Sequence, residues 1–362
     1  MKRWMICAAL LSGTASVATA TELATDMKKG DVKLTSAGPI AFAPQGVLLA
    51  ADPKSAMLYA IETGDTTASK KNAELSIDNL DEKIASLLGT VAKEIQIVDM
   101  ATNPLSGSVY LSVTRGNNAD AMPALLRVKS DGKIEEVATK NVPSSSAKIP
   151  NPANDVAGPR GNPRTESITD LAYTNGKVYI AGLSNEEFAS NLRSVAFPFS
   201  NVDEGASIEI YHGAHGAVET RSPVRTFAAY EIGGKEYLLA AYTCTPLVLI
   251  PVNELETGKK VRGKTIAELG NRNRPLDMVI YRKGDKDYVL LANSARGLMK
   301  ITTEKMDQAD SITQKISDKA GMQYETLELK GVDQLDRLNE TSAVAIVKNA
   351  EGVVSLKSFP LP

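Results

Sequence analysis

The chain has 362 residues, with 41 lysines and arginines against 43 acidic residues and an aromatic content of 5%. That balance, a net charge of −2, argues against a nucleic-acid surface. The length would allow two or three average domains, or one larger all-β unit.

The first twenty residues read as a secretory signal. Lys2 and Arg3 supply the positive start, Trp4 to Val17 the apolar middle, and Ala18-Thr19-Ala20 a small-residue cleavage site. The apolar stretch is too short to span a membrane, and no later stretch is long enough. The expected mature protein is therefore a single domain, residues 21–362, periplasmic or secreted, with a net charge of about −4 once Lys2 and Arg3 are gone. Cys7 leaves with the signal. Cys244 then stands alone in an oxidising compartment, without a partner for an internal disulfide.

One phrase recurs along the remaining chain: an apolar strand, a short turn, a second apolar strand, a polar loop and a third strand. The copies begin at Ile40, Ile95, Ile168, Val224, Asp277 and, more weakly, Leu335. Turns such as Asn175-Gly176, Gly233-Gly234 and Lys283-Gly284-Asp285 supply the positive φ that tight hairpins need. A spacing near 45 residues predicts an all-β fold, a six-bladed propeller whose blades bury their faces on one another. Val32-Lys33-Leu34-Thr35 precedes the first copy and is expected to be the outer strand that closes the last blade.

Two segments interrupt the rhythm. In 78–88, Leu80, Ile84, Leu87 and Leu88 fall on one stripe that ends at Gly89, which predicts a short helix between blades one and two. The stretch 142–164 is rich in Pro, Gly, Ser and Asn and reads as a long flexible loop on the working face.

The copies resemble the broad group of NHL-type, SMP-30-like and YncE-like extracytoplasmic propellers. The phrase GPIAFAPQGVLLAADPKSAMLYAIET carries the strand–Asp–strand rhythm of that group. Calcium-dependent lactonases of this kind place a metal-binding Glu at the start of their first blade. Here that stretch is Ser36-Ala37-Gly38-Pro39, which has no carboxylate, so the resemblance implies shape and not lactonase chemistry.

Strand direction predicts which loops share a face. Loops from strand two to strand three lie with the connections between blades, because neighbouring strands are antiparallel. That face collects His212 and His215, as His-Gly-Ala-His leading from blade three, and Cys244 from blade four. Two imidazoles and a thiolate form a soft donor set suited to copper, with zinc as the alternative. Met278, Glu219 or Tyr242 is expected to complete the shell. Tyr211 and Tyr242 are candidate catalytic residues, should the protein be a metal-dependent oxidoreductase with a tyrosine beside the thiol. The plainer alternative is a small buried thiol and carbonyl-bonded imidazoles with no metal at all.

The same face gathers Arg115, Arg164, Arg221, Arg225, Arg272, Arg274 and Arg296, with Glu166, Glu187, Asp277 and Asn293 among them. Guanidinium forks suit an anionic small molecule or a periplasmic protein partner. Equally, they suit ion pairs that lock loops between blades. A non-enzymatic binding scaffold is thus the alternative function. No serine triad, haem motif, phosphate loop or dinucleotide fingerprint is legible.

Overall fold

The computed structural model describes residues 27–68, 74–117, 121–159, 161–244 and 246–362. The expected signal segment, with Cys7, lies outside the described residues. Six sheets stand around a central channel as a six-bladed β-propeller. Their inner strands are Ile40–Ala43, Ile95–Thr102, Asp170–Thr174, Thr226–Ile232, Pro275–Lys283 and Val332–Arg337. We number the blades in that chain order.

The middle strands are apolar on both faces because each blade is covered on both sides. In the fourth blade, Leu238, Ala240, Val248 and Ile250 pack with Ile208 and Ile210 of the third. The alternate set, Leu239, Ala241, Leu247 and Leu249, packs with Val289, Leu291 and Met299 of the fifth. The period-two alternation of a strand thus divides its side chains between two seams. The Asn175-Gly176 and Gly233-Gly234 turns carry positive φ at both positions, as expected.

Ring closure differs from the sequence expectation. Around the channel the inner strands neighbour one another in the order second, first, third, fourth, fifth, sixth and back to the second. Leaving the first blade, the chain gives Ser76–Ile77 to the sixth blade as its outer strand. It then builds the second blade and returns Val142–Lys148 to the outer side of the first. Residues 32–35 form no strand of the sixth blade. Val32 donates its N–H to the Thr139 carbonyl, and Asp52 holds Thr35 and Ser36 through the Thr35 N–H and both hydroxyls. These side-chain bonds compete successfully with strand pairing.

The expected flexible loop 142–164 is likewise corrected. Its first third is the strand just named, and two arginines hold the backbone at Pro150, Asn151 and Ala153. Arg193, fully buried in the third blade, donates to the carbonyls of Pro150 and Asn151 at 3.2 and 3.1 Å. Arg164 donates to the Ala153 carbonyl at 2.6 Å. The helix is present over Leu80–Leu88 with Gly89 left-handed at its end. It buries Leu80, Ile84, Ala85 and Leu88, while Leu87 is exposed.

Four aspartates tie the inner strands together, and each joins two blades. Asp99 Oδ2 accepts from the Ile40 N–H, Asp170 Oδ2 from Phe227, Asp277 Oδ2 from Leu335, and Asp336 Oδ2 from Thr102, all at 2.6–2.7 Å. In the last three, Oδ1 also accepts the N–H of the following residue. The staples therefore run from fifth to sixth to second to first blade, and separately from third to fourth. The first and fourth blades receive a staple but have Ala41 and Ala228 where the sixth has Asp336.

Burial pushes all four carboxyls up. It is aided at Asp99 by the Asp170 charge and at Asp277 by that of Asp99, and the backbone donors offset part of it. Asp170 rises to about 7 and Asp336 to about 6.

A carboxyl raised in the folded state binds its proton there while the unfolded chain has released it, so it favours folding at low pH. Stability is thus expected to fall between about pH 5 and pH 8. Glu135 and Glu219, each held at about 2, act oppositely and withdraw stability only below about pH 4.5. Urea unfolding at pH 5 and pH 8 reads the slope directly. Asp170→Asn should cost about 1–3 kcal/mol at pH 5, through one orphaned N–H, and should flatten the decline toward pH 8.

Candidate metal centre and channel mouth

His212 ends the fourth strand of the third blade, Ala206–His212, and the chain turns at once into the short strand Ala217–Glu219 beside it. The turn is tight because the His215 and Gly216 N–H groups both donate to the His212 carbonyl. It brings the imidazoles together with ring centroids 4.0 Å apart at 39°. Gly213 is required by close approach and not by unusual φ. A Cβ there would lie 2.9 Å from Glu268 Cγ and 3.1 Å from Ile316 Cγ1. In exchange, the Gly213 N–H donates to Glu268 Oε1 at 2.6 Å.

Cys244 comes from the loop between the strands Lys235–Ala241 and Pro246–Pro251 of the fourth blade. It takes a left-handed φ of 62° and donates its N–H to the Asn273 carbonyl at 2.8 Å. The Asn293 side chain hydrogen-bonds Asn273 Oδ1, which stiffens that anchor. The result matches the sequence expectation. One donor atom from each of His212, His215 and Cys244 lies within 4.8 Å of the others. Among the described residues, it is the one such cluster of metal-ligating side chains.

Three details bear on ligation. His212 is only 2% exposed, yet its Nε2 is buried without a hydrogen-bond partner. Such an atom is costly unless something fills its lone pair. Glu219 Oε1 faces the Nδ1 atoms of both rings, 3.0 Å from that of His212 and in direct contact with that of His215. The His212 contact is close enough for an ion pair but is not aligned as a hydrogen bond. A carboxylate on Nδ1 favours the tautomer that leaves the Nε2 lone pair free, as in metal-ligating histidines. Burial pushes the Glu219 carboxyl up, but His212, Ser222 and His215 together outweigh it and bring it down to about 2. Glu268, 1% exposed, is raised by burial, and its Oε2 has no partner.

Of the expected fourth ligands, Glu219 touches the cluster, at the Nδ1 atoms of both rings, whereas Met278 lines the central channel. Tyr242, 1% exposed, lies in the apolar seam between third and fourth blades, where burial raises its phenol. Tyr211 is half-buried in the same strand as His212, and its carbonyl accepts from Thr265.

The arginines do not form one patch. Arg164 and Arg221 bond backbone carbonyls, the latter that of Glu187 at 3.2 Å. Arg296 pairs with Asp318 and lies over Gly270, and Asn293 Oδ1 accepts the N–H groups of Ala295 and Arg296. Arg115, Glu187 and Arg272 are exposed. Only Glu166, Arg225, Arg274 and Asp277 come together, in a cavity of about 460 Å³ at the channel mouth. A larger cavity of about 750 Å³ opens on the opposite face. It is walled by Phe42, Leu105, Phe227 and Leu338. Asp99, Asp170 and Asp277 line both cavities.

Sequence reading missed Glu268, Asn273 and three of the four staple aspartates. A signal for the staples existed in the recurrent inner-strand pairs Asp99-Met100, Asp170-Leu171 and Asp277-Met278.

No family model matches the chain, and no curated protein matches it. Solved structures do resemble it. A PQQ-bound aldose sugar dehydrogenase from Streptomyces coelicolor is 12% identical, over 92% of this chain and 97% of that one, with a TM-score of 0.37. An oxidoreductase from Thermus thermophilus, described as a glucose dehydrogenase, is 10% identical over 92% and 100%, with a TM-score of 0.34. At such values the likeness is one of architecture and assigns no chemistry.

Gly213→Ala should separate the turn from Glu268. The expected result is a loss of about 1–3 kcal/mol in thermal or urea unfolding, with the His212 and His215 ring NMR signals moved apart from their wild-type positions.

Proposed function

We propose that the protein is a secreted, periplasmic copper-handling propeller, with the metal held by His212, His215 and Cys244 on the seam between third and fourth blades. The observation that carries this reading is the clustering of one donor atom each from His212, His215 and Cys244 within 4.8 Å, with the His212 Nε2 buried and unpartnered and Glu219 against the Nδ1 atoms of both rings.

The donor set selects the metal class. Thiolate and imidazole are soft to borderline donors, and copper stands at the top of the affinity order for such sites. Closed structural zinc wants four protein ligands, whereas the described residues supply three. A copper ion here would supply one-electron redox chemistry or a cargo to pass on. The residues themselves do the rest: Glu219 orients the rings, Ser222 fixes Glu219, and Glu268 anchors the turn. His215, with 56% of its side chain exposed, is the side from which a ligand exchanges. Secretion is supported by residues 1–20 as a signal sequence.

Protein purified from the periplasm should begin near Thr21 and retain about one copper per chain by elemental analysis. Oxidised, it should absorb visible light by thiolate-to-copper charge transfer. Cys244→Ala should abolish that band, and Glu219→Gln should weaken binding about 10–100-fold. A protein that takes up no copper, or one whose affinity is unchanged in Cys244→Ala, overturns the reading.

A further inference from the structure

The channel mouth carries a charge arrangement that the metal centre does not use. Its wall holds two guanidiniums and one carboxylate. Arg225 Nη1 pairs with Glu166 Oε1 at 2.6 Å, and its Nε reaches Thr243 Oγ1 at 3.2 Å. Arg274 lies beside that pair in the same cavity, and among the described residues its guanidinium makes no hydrogen bond and no ion pair. Arg274 is exposed at the surface, and partial desolvation, then the neighbouring Arg225 charge, pull it below the usual arginine range. Glu166 is already committed to Arg225, so the rim is short of one negative charge.

The floor of the same cavity has the opposite need. Asp99 and Asp277 face each other across Gln334, whose amide nitrogen can lie 3.0 Å from Asp99 Oδ1 and 3.3 Å from Asp277 Oδ2. Asp170 adds a third carboxyl to the lining. A neutral amide lies between Asp99 and Asp277, and among the described residues no lysine or arginine forms an ion pair with Asp99, Asp170 or Asp277. A dianion would be drawn to the rim but would find no cation below it, only carboxyls that burial and one another already push toward the protonated form. A simple cation would be repelled at the rim.

We propose that the channel mouth is a binding site for a small zwitterion, an amino carboxylate. Its carboxylate would be taken by Arg274 beside Arg225, and its ammonium would point down the channel to Asp99 and Asp277. Bidentate guanidinium–carboxylate pairing sets the orientation at the rim, and charge-assisted bonds set it at the floor. The volume of about 460 Å³ falls within the range of small-molecule sites. This site is independent of the metal centre, since none of His212, His215 and Cys244 lines it.

The test is calorimetric titration of the intact protein with matched probes. Glycine, 4-aminobutanoate and 6-aminohexanoate vary the charge separation; acetate, butanoate and hexanoate lack the ammonium; butylammonium lacks the carboxylate. At least one zwitterion should bind about tenfold or more tightly than its single-charge counterparts, and Arg274→Gln should lose that margin with unfolding unchanged. Cys244→Ala should bind the zwitterion as wild type does, which separates this result from the fate of the copper reading. Equal binding of a zwitterion and its plain carboxylate, or no binding of any zwitterion, overturns the proposal.

Discussion

A carboxylate that accepts the N–H of the neighbouring blade's inner strand is the contact on which this ring depends. Asp99, Asp170, Asp277 and Asp336 each do this from deep inside the molecule, at a cost in desolvation that shows as raised carboxyls. The inner strands of a propeller cannot pair with one another as a ladder, because they radiate around an axis. Their inward N–H groups therefore need side-chain acceptors, and an aspartate is short enough to reach across one seam. The apolar seams supply most of the cohesion, while the staples set how one blade meets the next.

The exchanged outer strands reinforce the same closure at the rim. Ser76–Ile77 belongs in sequence to the first crossing and in space to the last blade, and Val142–Lys148 returns to the first. Between the sixth and second blades these strands add to an apolar seam, in which Val109, Leu111 and Val113 pack with Val344, Ile346 and Leu356, and to the Asp336 to Thr102 bond. The helix Leu80–Leu88 packs on the sixth blade's third strand and on the second blade, over that junction.

The two candidate sites lie on separate parts of one face. The His–Cys cluster sits toward the outside, where the third blade's terminal hairpin meets the fourth blade, so a bound metal would link two blades. The arginine–aspartate cavity sits on the axis. They are close in sequence order yet chemically distinct: soft donors with one carboxylate behind them in the first, and opposed hard charges in the second. Asn273 and Asn293, which brace the Cys244 backbone, lie in the connection and loop that adjoin Arg274 and Arg296, so the scaffold of one site borders the other.

What the chain order alone determined was the set of three-stranded copies, the hairpin glycines, the single helix and the convergence of His212, His215 and Cys244. Each follows from local periodicity or from the rule that neighbouring strands run antiparallel. The fourth strands were not legible. Ile134–Glu136 and Tyr324–Leu327 are short and partly polar because their outer edge faces water, while Ala206–His212 and Lys264–Leu269 are apolar and buried but lie in segments that the three-stranded phrase leaves as connections. Only the tertiary structure decided the blade order, the origin of the exchanged strands and the fate of the arginines. A guanidinium bonds a carbonyl, a carboxylate or nothing according to what lies within a few ångströms, and that is settled by folding the ring, not by residue type.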